Sequence, residues 1–109
     1  METALNILGT TYQYTEESER DNPSLCGDTG GLCDSYAKKI IIRNDYNENQ
    51  PFAIQNFDEL IKISKRHEVI HAYLFESGLT ELAENEQLVQ WIAWQFPKLL
   101  QSFSVIKGI

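Results

Sequence analysis

The sequence predicts an α+β fold, in which a small antiparallel sheet of two or three strands packs beside two main helices. Short β-branched and aromatic runs are confined to the first 43 residues, and two stretches after residue 56 have helical periodicity. The chain has 109 residues, of which 42% are hydrophobic and 23% charged. These values are typical of a single domain with one core. We expect one minimal domain over residues 1–109, with an N-terminal strand and polar loop over 1–30 and a hairpin plus helices over 31–109.

The first strand is predicted over residues 4–14, where apolar residues, Thr and Tyr alternate. Gly9 indicates an interruption or a bulge within that strand. Residues 16–31 are polar and contain one proline and several glycines, so they predict a loop. Its acidic residues are expected to be solvated: Glu16, Glu17 and Glu19.

Residues 31–43 predict two strands around a tight turn. Ile40–Ile42 suits a buried strand because the run is short, β-branched and bounded by polar residues. Residues 44–51 are rich in Asn and Asp, which predicts a polar loop.

The first helix is predicted to begin after Asn56, since Asn56 and Glu59 fit a capping box. It should end near Ser77, where Gly78 can adopt the left-handed conformation. Within this helix of about twenty residues, apolar residues and both histidines share one face. The basic residues of this helix are expected on the solvent face: Lys62, Lys65 and Arg66.

The second helix is predicted from about Asn85 through Phe96, after a short connection over residues 79–85. Pro97 must end or kink it, because proline cannot donate to the preceding turn. Residues 98–105 can continue helically beyond the kink. The tryptophans of this helix are expected to pack in the core and not to stack on bases: Trp91 and Trp94.

The pattern H-E-x-x-H spans residues 67–71 and uses both histidines of the chain. Residues four apart lie on the same face of a helix, so His67 and His71 can share one zinc ion. Glu68 lies about 100° round from His67. That position is typical of a general base for a metal-bound water.

A catalytic zinc has three protein ligands, and the chain has no third histidine. A carboxylate on the following helix is the natural supplier, because an antiparallel neighbour can lay its first turn across the histidines. Glu86 is preferred, since it shares a face with Gln90 and the small Ala93. The alternatives that stay open are Glu76, Glu81, Glu84 and Cys33.

The net charge of −7 argues against general binding to nucleic acid or to anionic membranes. No run approaches the ~18 apolar residues that span a bilayer. The N-terminus has no basic region typical of a signal peptide. We therefore expect a cytoplasmic protein, in which Cys26 and Cys33 are free thiols.

A strand hairpin is followed by a helix containing HEVIHAYLFESGL and then by a helix beginning ENEQLVQWIAWQFP. This order of the predicted elements resembles that of small zincin-like metallopeptidase domains. It is similar in particular to the ImmA/IrrE-like group and its minimal phage and prophage relatives. The resemblance covers roughly residues 30–100. It implies an α+β fold, a zinc ion and a gluzincin-like ligand set, with the matching positions His67, Glu68, His71 and Glu86.

The leading hypothesis is a zinc-dependent peptidase that acts on a protein or peptide, with Glu68 as general base. Tyr36 and Tyr73 are the candidates for an oxyanion donor, and the sequence does not choose between them. The alternative is a zinc-stabilised, non-catalytic protein-binding module of phage or prophage type. A third interpretation is a metal-free interaction domain. The sequence gives no oligomeric state.

Overall fold

A computed structural model describes residues 2–25, 30–45 and 56–109. Within these ranges the chain forms a sheet and then helices, which confirms the α+β class. Cys26 and residues 46–51 of the predicted polar loop lie outside them. The strands are β1 (Glu2–Ile7), β2 (Thr10–Glu17), β3 (Gly31–Asp34) and β4 (Lys39–Arg43); the helices are α1 (Phe57–Glu76), α2 (Thr80–Ala83) and α3 (Glu86–Val105), and a 3-10 turn spans Pro23–Leu25.

β1 and β2 form an antiparallel hairpin, so the prediction of one interrupted strand over residues 4–14 is wrong. The turn consists of Leu8 and Gly9, whose φ angles are 52° and 90°. Two positive φ values are typical of a type I′ hairpin turn. Asn6 Oδ1 accepts a hydrogen bond from the Gly9 N–H at 2.7 Å and holds the turn closed. A glycine inside a strand pattern signals a bulge or a turn equally well, which is why the sequence did not separate the two.

The sheet is larger than predicted and is not wholly antiparallel. Its order is β1-β2-β4-β3, and β2 pairs with β4 in parallel. β3 precedes β4 in the chain and pairs antiparallel with it at the edge of the sheet, from Gly31 opposite Ile42 to Asp34 opposite Lys39. Strand order of this kind depends on pairing between distant residues, and strand periodicity carries no information about it.

The acidic cluster after the hairpin is part of the folded structure, so the prediction of a solvated segment is wrong. Glu16 accepts a hydrogen bond from the Tyr14 hydroxyl at 2.8 Å and lies 3.3 Å from Lys65 Nζ. Glu19 pairs at 2.9 Å with Arg43, whose side chain is only 1% exposed. A buried guanidinium requires charged partners, and Glu19 is one of them, together with Asp45 at 2.6 Å.

α1 packs on one face of the sheet and has the predicted bounds. Asn56 Oδ1 accepts from the Glu59 N–H at 3.1 Å, and Gly78 follows the helix with a φ of 76°. The helix lies between the sheet and α3, because α3 packs on α1 and α2. The buried core beneath it comprises Ile7, Tyr12, Tyr14, Ile40, Ile42 and Ala72.

α3 passes through Pro97 and continues to Val105. Proline has no N–H, so the Ala93 carbonyl lacks its usual partner within the helix. The Nε–H of Arg66 donates to this carbonyl at 2.6 Å. The expectation that Arg66 lies on the solvent face is therefore wrong: its side chain crosses to α3 and satisfies the group that the proline leaves free.

The tryptophans of α3 lie mostly in solvent. Trp91 is 55% exposed and Trp94 is 54% exposed, so the prediction that they pack in the core is wrong. They belong to the side of α3 that faces away from α1. Of the helices that the structure describes, none has the length and apolar character needed to cross a bilayer.

Candidate metal centre

The two histidines lie on one face of α1 and point toward the same space. His67 Nε2 and His71 Nε2 are 3.1 Å apart, and the ring centroids are separated by 4.8 Å. This is the arrangement expected for residues four apart on a helix. Both side chains are largely buried, with 15% of His67 and 10% of His71 exposed.

Glu86 completes the cluster from the first turn of α3. The connection predicted over residues 79–85 contains α2, which turns the chain back across the histidines. Asn85 caps α3 by accepting from the Leu88 N–H at 3.0 Å, and this fixes the start of the helix. One Glu86 oxygen then lies 2.9 Å from His67 Nε2 and the other lies 2.8 Å from His71 Nε2.

The remaining ring nitrogens are bound to oxygen acceptors. His67 Nδ1 lies 2.6 Å from Gln90 Oε1, and His71 Nδ1 lies 2.5 Å from the Ala83 carbonyl. A carbonyl oxygen only accepts, so Nδ1 is the protonated nitrogen in the neutral form of each ring. In that form both Nε2 atoms carry lone pairs that face the Glu86 carboxylate.

This donor set fits a divalent cation. In the neutral form of the rings, two lone pairs and a carboxylate at such short range repel one another unless a positive charge lies among them, which a metal ion or a proton on one Nε2 supplies. The ligand atoms of His67, His71 and Glu86 all lie within 4.8 Å of one another. Zinc takes imidazole and carboxylate ligands at about 2.0–2.2 Å in a tetrahedral site, which separates neighbouring ligand atoms by about 3.3 Å. The observed distances of 2.8, 2.9 and 3.1 Å are close to that spacing.

Glu68 lies beside the cluster and is not one of its three donors. Its residue is only 7% exposed. Burial raises the pKa of Glu68 to about 7, which the charge of Glu86 reinforces and that of His67 opposes. A carboxyl group with a pKa near 7 can both accept and release a proton at neutral pH.

β3 packs directly on Glu68 at Gly31. A Cβ atom added at Gly31 would lie 2.9 Å from Glu68 Cγ and 3.0 Å from the Ile41 carbonyl oxygen. Only a residue without a side chain permits this approach. The edge strand is thereby held against the proposed base.

A cavity of about 360 Å³ opens between this edge strand and the cluster. The strand side is mostly apolar, and the helix side carries the histidines and carboxylates. Its described lining comprises Gly31, Leu32, Cys33, His67, Glu68, His71, Phe75, Ala83, Glu84 and Glu86.

The other carboxylates proposed as ligands lie outside the donor cluster. Glu84 lines the cavity, and Glu81 is exposed on α2. Glu76 accepts hydrogen bonds from Lys38 Nζ and from the Tyr12 hydroxyl, each at 2.7 Å. It therefore ties α1 to the sheet.

Cys33 lines the cavity from β3 without joining the donor cluster. Burial, with a contribution from Glu68, raises the pKa of its thiol to about 12. The neutral thiol is a poor metal ligand compared with a thiolate.

The two tyrosines considered as oxyanion donors are not brought to the cavity. Tyr36 lies in the turn between β3 and β4 and is 97% exposed. Tyr73 lies two residues beyond His71, about 200° round the helix, and faces α3. Neither belongs to the described lining.

Sequence reasoning missed three contributors to the site: Gly31, the Ala83 carbonyl and Gln90. Gln90 follows Glu86 by four residues, and this same-face spacing is a signal that could have identified it. Gly31 and Ala83 left no such signal, because their roles depend on how β3 and α2 pack against α1.

No family model, curated protein or solved structure matches this chain. A functional conclusion therefore rests on the geometry of the described side chains.

Proposed function

We propose that the protein is a zinc-dependent metallopeptidase-like hydrolase of zincin type, with His67, His71 and Glu86 as ligands. The observation that carries the proposal is the convergence of His67, His71 and Glu86 beside a buried carboxyl group, that of Glu68. The contact of each Nδ1 with an oxygen atom supports it further, because such outer partners orient zinc-ligating imidazoles.

A zinc ion bound there would lower the pKa of a coordinated water from about 16 to about 7 and polarise a substrate carbonyl. Beside such a water, Glu68 would serve as the general base that takes a proton and returns it to the leaving amine. The contact with Gly31 keeps its carboxyl group beside the cavity and away from bulk water.

The edge strand favours an extended peptide as substrate. β3 pairs with β4 on one side only, which leaves its other backbone edge toward the cavity unpaired within the described sheet. An extended peptide can add to such an edge through main-chain hydrogen bonds. Bound in this way, its carbonyl groups would pass between β3 and the histidines. The likeness to ImmA/IrrE-type domains, the cytoplasmic location and the phage or prophage origin remain predictions.

One observation favours the non-catalytic alternative, a zinc-stabilised protein-binding module. The described lining of the cavity contains no Tyr, Lys or Arg side chain to stabilise an oxyanion. In that module the donor cluster would be structural, and Glu68 would have no chemical role.

The test combines metal content with peptide hydrolysis. We expect one zinc per chain by elemental analysis, loss of that zinc in His67→Ala, and cleavage of an unstructured protein such as casein. Glu68→Gln should keep the zinc and lose about 10²–10⁴-fold in rate. Glu84→Gln is the matched control, because Glu84 lines the same cavity outside the donor cluster. It should retain activity within a few-fold.

Two results would contradict the peptidase proposal. If wild type and Glu68→Gln both bind one zinc per chain and neither cleaves an unstructured protein, the peptidase hypothesis is excluded and the zinc-stabilised binding module is favoured. If the purified protein takes up no zinc, both hypotheses are excluded and the metal-free interaction domain is favoured.

A further inference from the structure

α3 carries an apolar stripe that continues past the part of the helix that is buried. Its apolar residues recur at alternating spacings of three and four, which is the spacing of a seam between two helices. They run nearly the whole length of α3: Val89, Ile92, Phe96, Leu99, Phe103 and Ile106.

The stripe is buried at its start and exposed toward its end. Val89 is fully buried, whereas Phe96 is 45% exposed although it lines a groove beside α1. Phe103 is 41% exposed and Ile106 is 74% exposed. Every residue of 100–109 is exposed, so we call residues 97–109 the C-terminal arm. The molecule is elongated, with principal extents of 43, 32 and 27 Å, as expected if this arm projects from its body.

A groove lies beside Ile92 and Phe96 of the same stripe. The α1–α3 groove has a volume of about 460 Å³, and its lining is almost entirely apolar. Its described lining shares no residue with that of the cavity at the metal centre. Its lining residues are Arg66, Val69, Ile70, Tyr73, Leu74, Ile92 and Phe96.

The distribution of charge distinguishes the arm from the body of the molecule. Residues 87–109 contain Lys98 and Lys107 and no acidic residue. Residues 1–86 hold all sixteen acidic residues against seven basic ones, a net charge of −9. The arm is therefore complementary in charge to the body of another copy of this chain.

The same features disfavour a membrane as the occupant. An anionic bilayer repels a chain with a net charge of −7. An interfacial helix presents its large apolar residues on one face. Trp94 precedes Phe103 by nine residues, which places it about 180° from the stripe.

We infer that two copies of the chain associate as an antiparallel pair, in which the C-terminal arms lie against each other and the end of each arm reaches the α1–α3 groove of the other. With Leu99 of one copy opposite Phe103 of its partner, the heptad register brings Ile106 to Phe96 at the groove. The contact is isologous, so one two-fold axis buries both arms and covers the Phe96 end of both grooves. Lys107 is directed toward the acidic body of the partner. The inference is independent of the zinc chemistry proposed above.

The test is to measure the mass of the wild-type chain in solution by sedimentation equilibrium, at protein concentrations from about 1 to about 100 μM. We expect twice the monomer mass of 12.5 kDa at the upper end. Phe103→Glu introduces a charge into the stripe and should raise the dissociation constant at least about tenfold. Val105→Glu is the matched control, because Val105 is 77% exposed on the other side of the arm. It should change the constant less than about twofold.

Because both substitutions lie on exposed residues of the arm, circular dichroism should show an unchanged fold in each. A wild type that stays monomeric at about 100 μM would overturn the inference, and so would equal dissociation by both variants. A monomer that sediments with vesicles of phosphatidylcholine and phosphatidylserine would overturn it in favour of a lipid surface.

Discussion

Gly31 and Glu68 lie against each other with no space for another carbon atom. The position of the proposed base thus depends on a residue that contributes no side chain. The nearby Ile41 carbonyl belongs to the sheet backbone and cannot rotate away from an added methyl group. The sheet and the metal centre are therefore coupled through this single contact.

Gly31→Ala is expected to destabilise the fold by about 1–3 kcal/mol, because the added methyl overpacks the contact. It should also displace Glu68 and lower the hydrolysis rate. Urea unfolding and casein cleavage measure the two effects. Gly108→Ala is the control, since an added Cβ there finds its nearest atom at 3.5 Å. Equal behaviour of the two variants would contradict the close approach.

Glu76 connects α1 to the sheet through its bonds to Lys38 and Tyr12. The hydrogen bond from Lys38, followed by that from Tyr12, lowers the pKa of Glu76 from 4.5 to about 2. A carboxyl group whose pKa is lower in the folded state stabilises the fold above its unfolded pKa. That stabilisation is lost as the pH falls through the folded pKa.

Glu76→Gln should therefore be less stable than wild type at pH 7. The difference should shrink as the pH falls from about 4.5 toward about 2, where the wild-type carboxylate also becomes protonated. Urea unfolding across this range measures it. A difference that does not depend on pH would show that the charge of Glu76 has no role in stability.

At the scale of the elements, both long helices begin with an Asn cap, but the two caps lie at different distances from the metal centre. Asn56 caps α1 far from the donors, whereas Asn85 caps α3 immediately before Glu86. The second cap thus positions a ligand as well as a helix. Gln90, one turn beyond Glu86, orients His67 from the same helix.

Asn56→Ala and Asn85→Ala should each cost about 1 kcal/mol of stability. Only Asn85→Ala should also weaken zinc binding, because it loosens the turn that carries Glu86. Calorimetric zinc titration of the two variants compares them directly. If both variants bound zinc as tightly as wild type, the cap would have no role at the metal centre.

α1 and α3 are also joined by the bond from Arg66 to the carbonyl that Pro97 leaves free at Ala93. Ala93 is fully buried, so loss of the guanidinium would leave its carbonyl unsatisfied. The cost of such a buried group is about 1–3 kcal/mol.

Arg66→Met should show that cost in the wild-type background and less of it in Pro97→Ala. Alanine at residue 97 supplies an N–H to the Ala93 carbonyl and makes the arginine dispensable. A double-mutant cycle by urea unfolding should give a coupling of roughly 0.5–3 kcal/mol. Additive effects would mean that Arg66 contributes through packing alone.

At the scale of the whole molecule, the donors connect the two long helices. His67 and His71 belong to α1, and Glu86 belongs to α3. A cation held by all three is a tertiary cross-link. Metal binding to the folded state then adds directly to its stability.

Removal of zinc by a chelator should lower the melting temperature, and zinc in excess should restore it. The expected stabilisation is about 2.7 kcal/mol when free zinc is about one hundred times its dissociation constant. Glu86→Gln should lose most of this response. Glu81→Gln, on α2 outside the donor cluster, should keep it. An identical melting temperature with and without zinc would argue against the cross-link.

The sequence by itself determined the features that depend on near neighbours. The bounds of α1 follow from cap chemistry at Asn56 and Gly78, and the shared face of His67 and His71 follows from helical spacing. Glu86 was preferred from its place in the following helix, but its distance from the histidines required the turn through α2.

Tertiary structure alone decided the features that join distant residues. The parallel pairing of β2 with β4, the approach of Gly31 to Glu68 and the bond from Arg66 to Ala93 each link segments more than twenty residues apart. Periodicity and capping describe only the nearest turns of the chain. The faces that meet are selected by packing of the whole core, and that selection also leaves the end of the apolar stripe of α3 exposed.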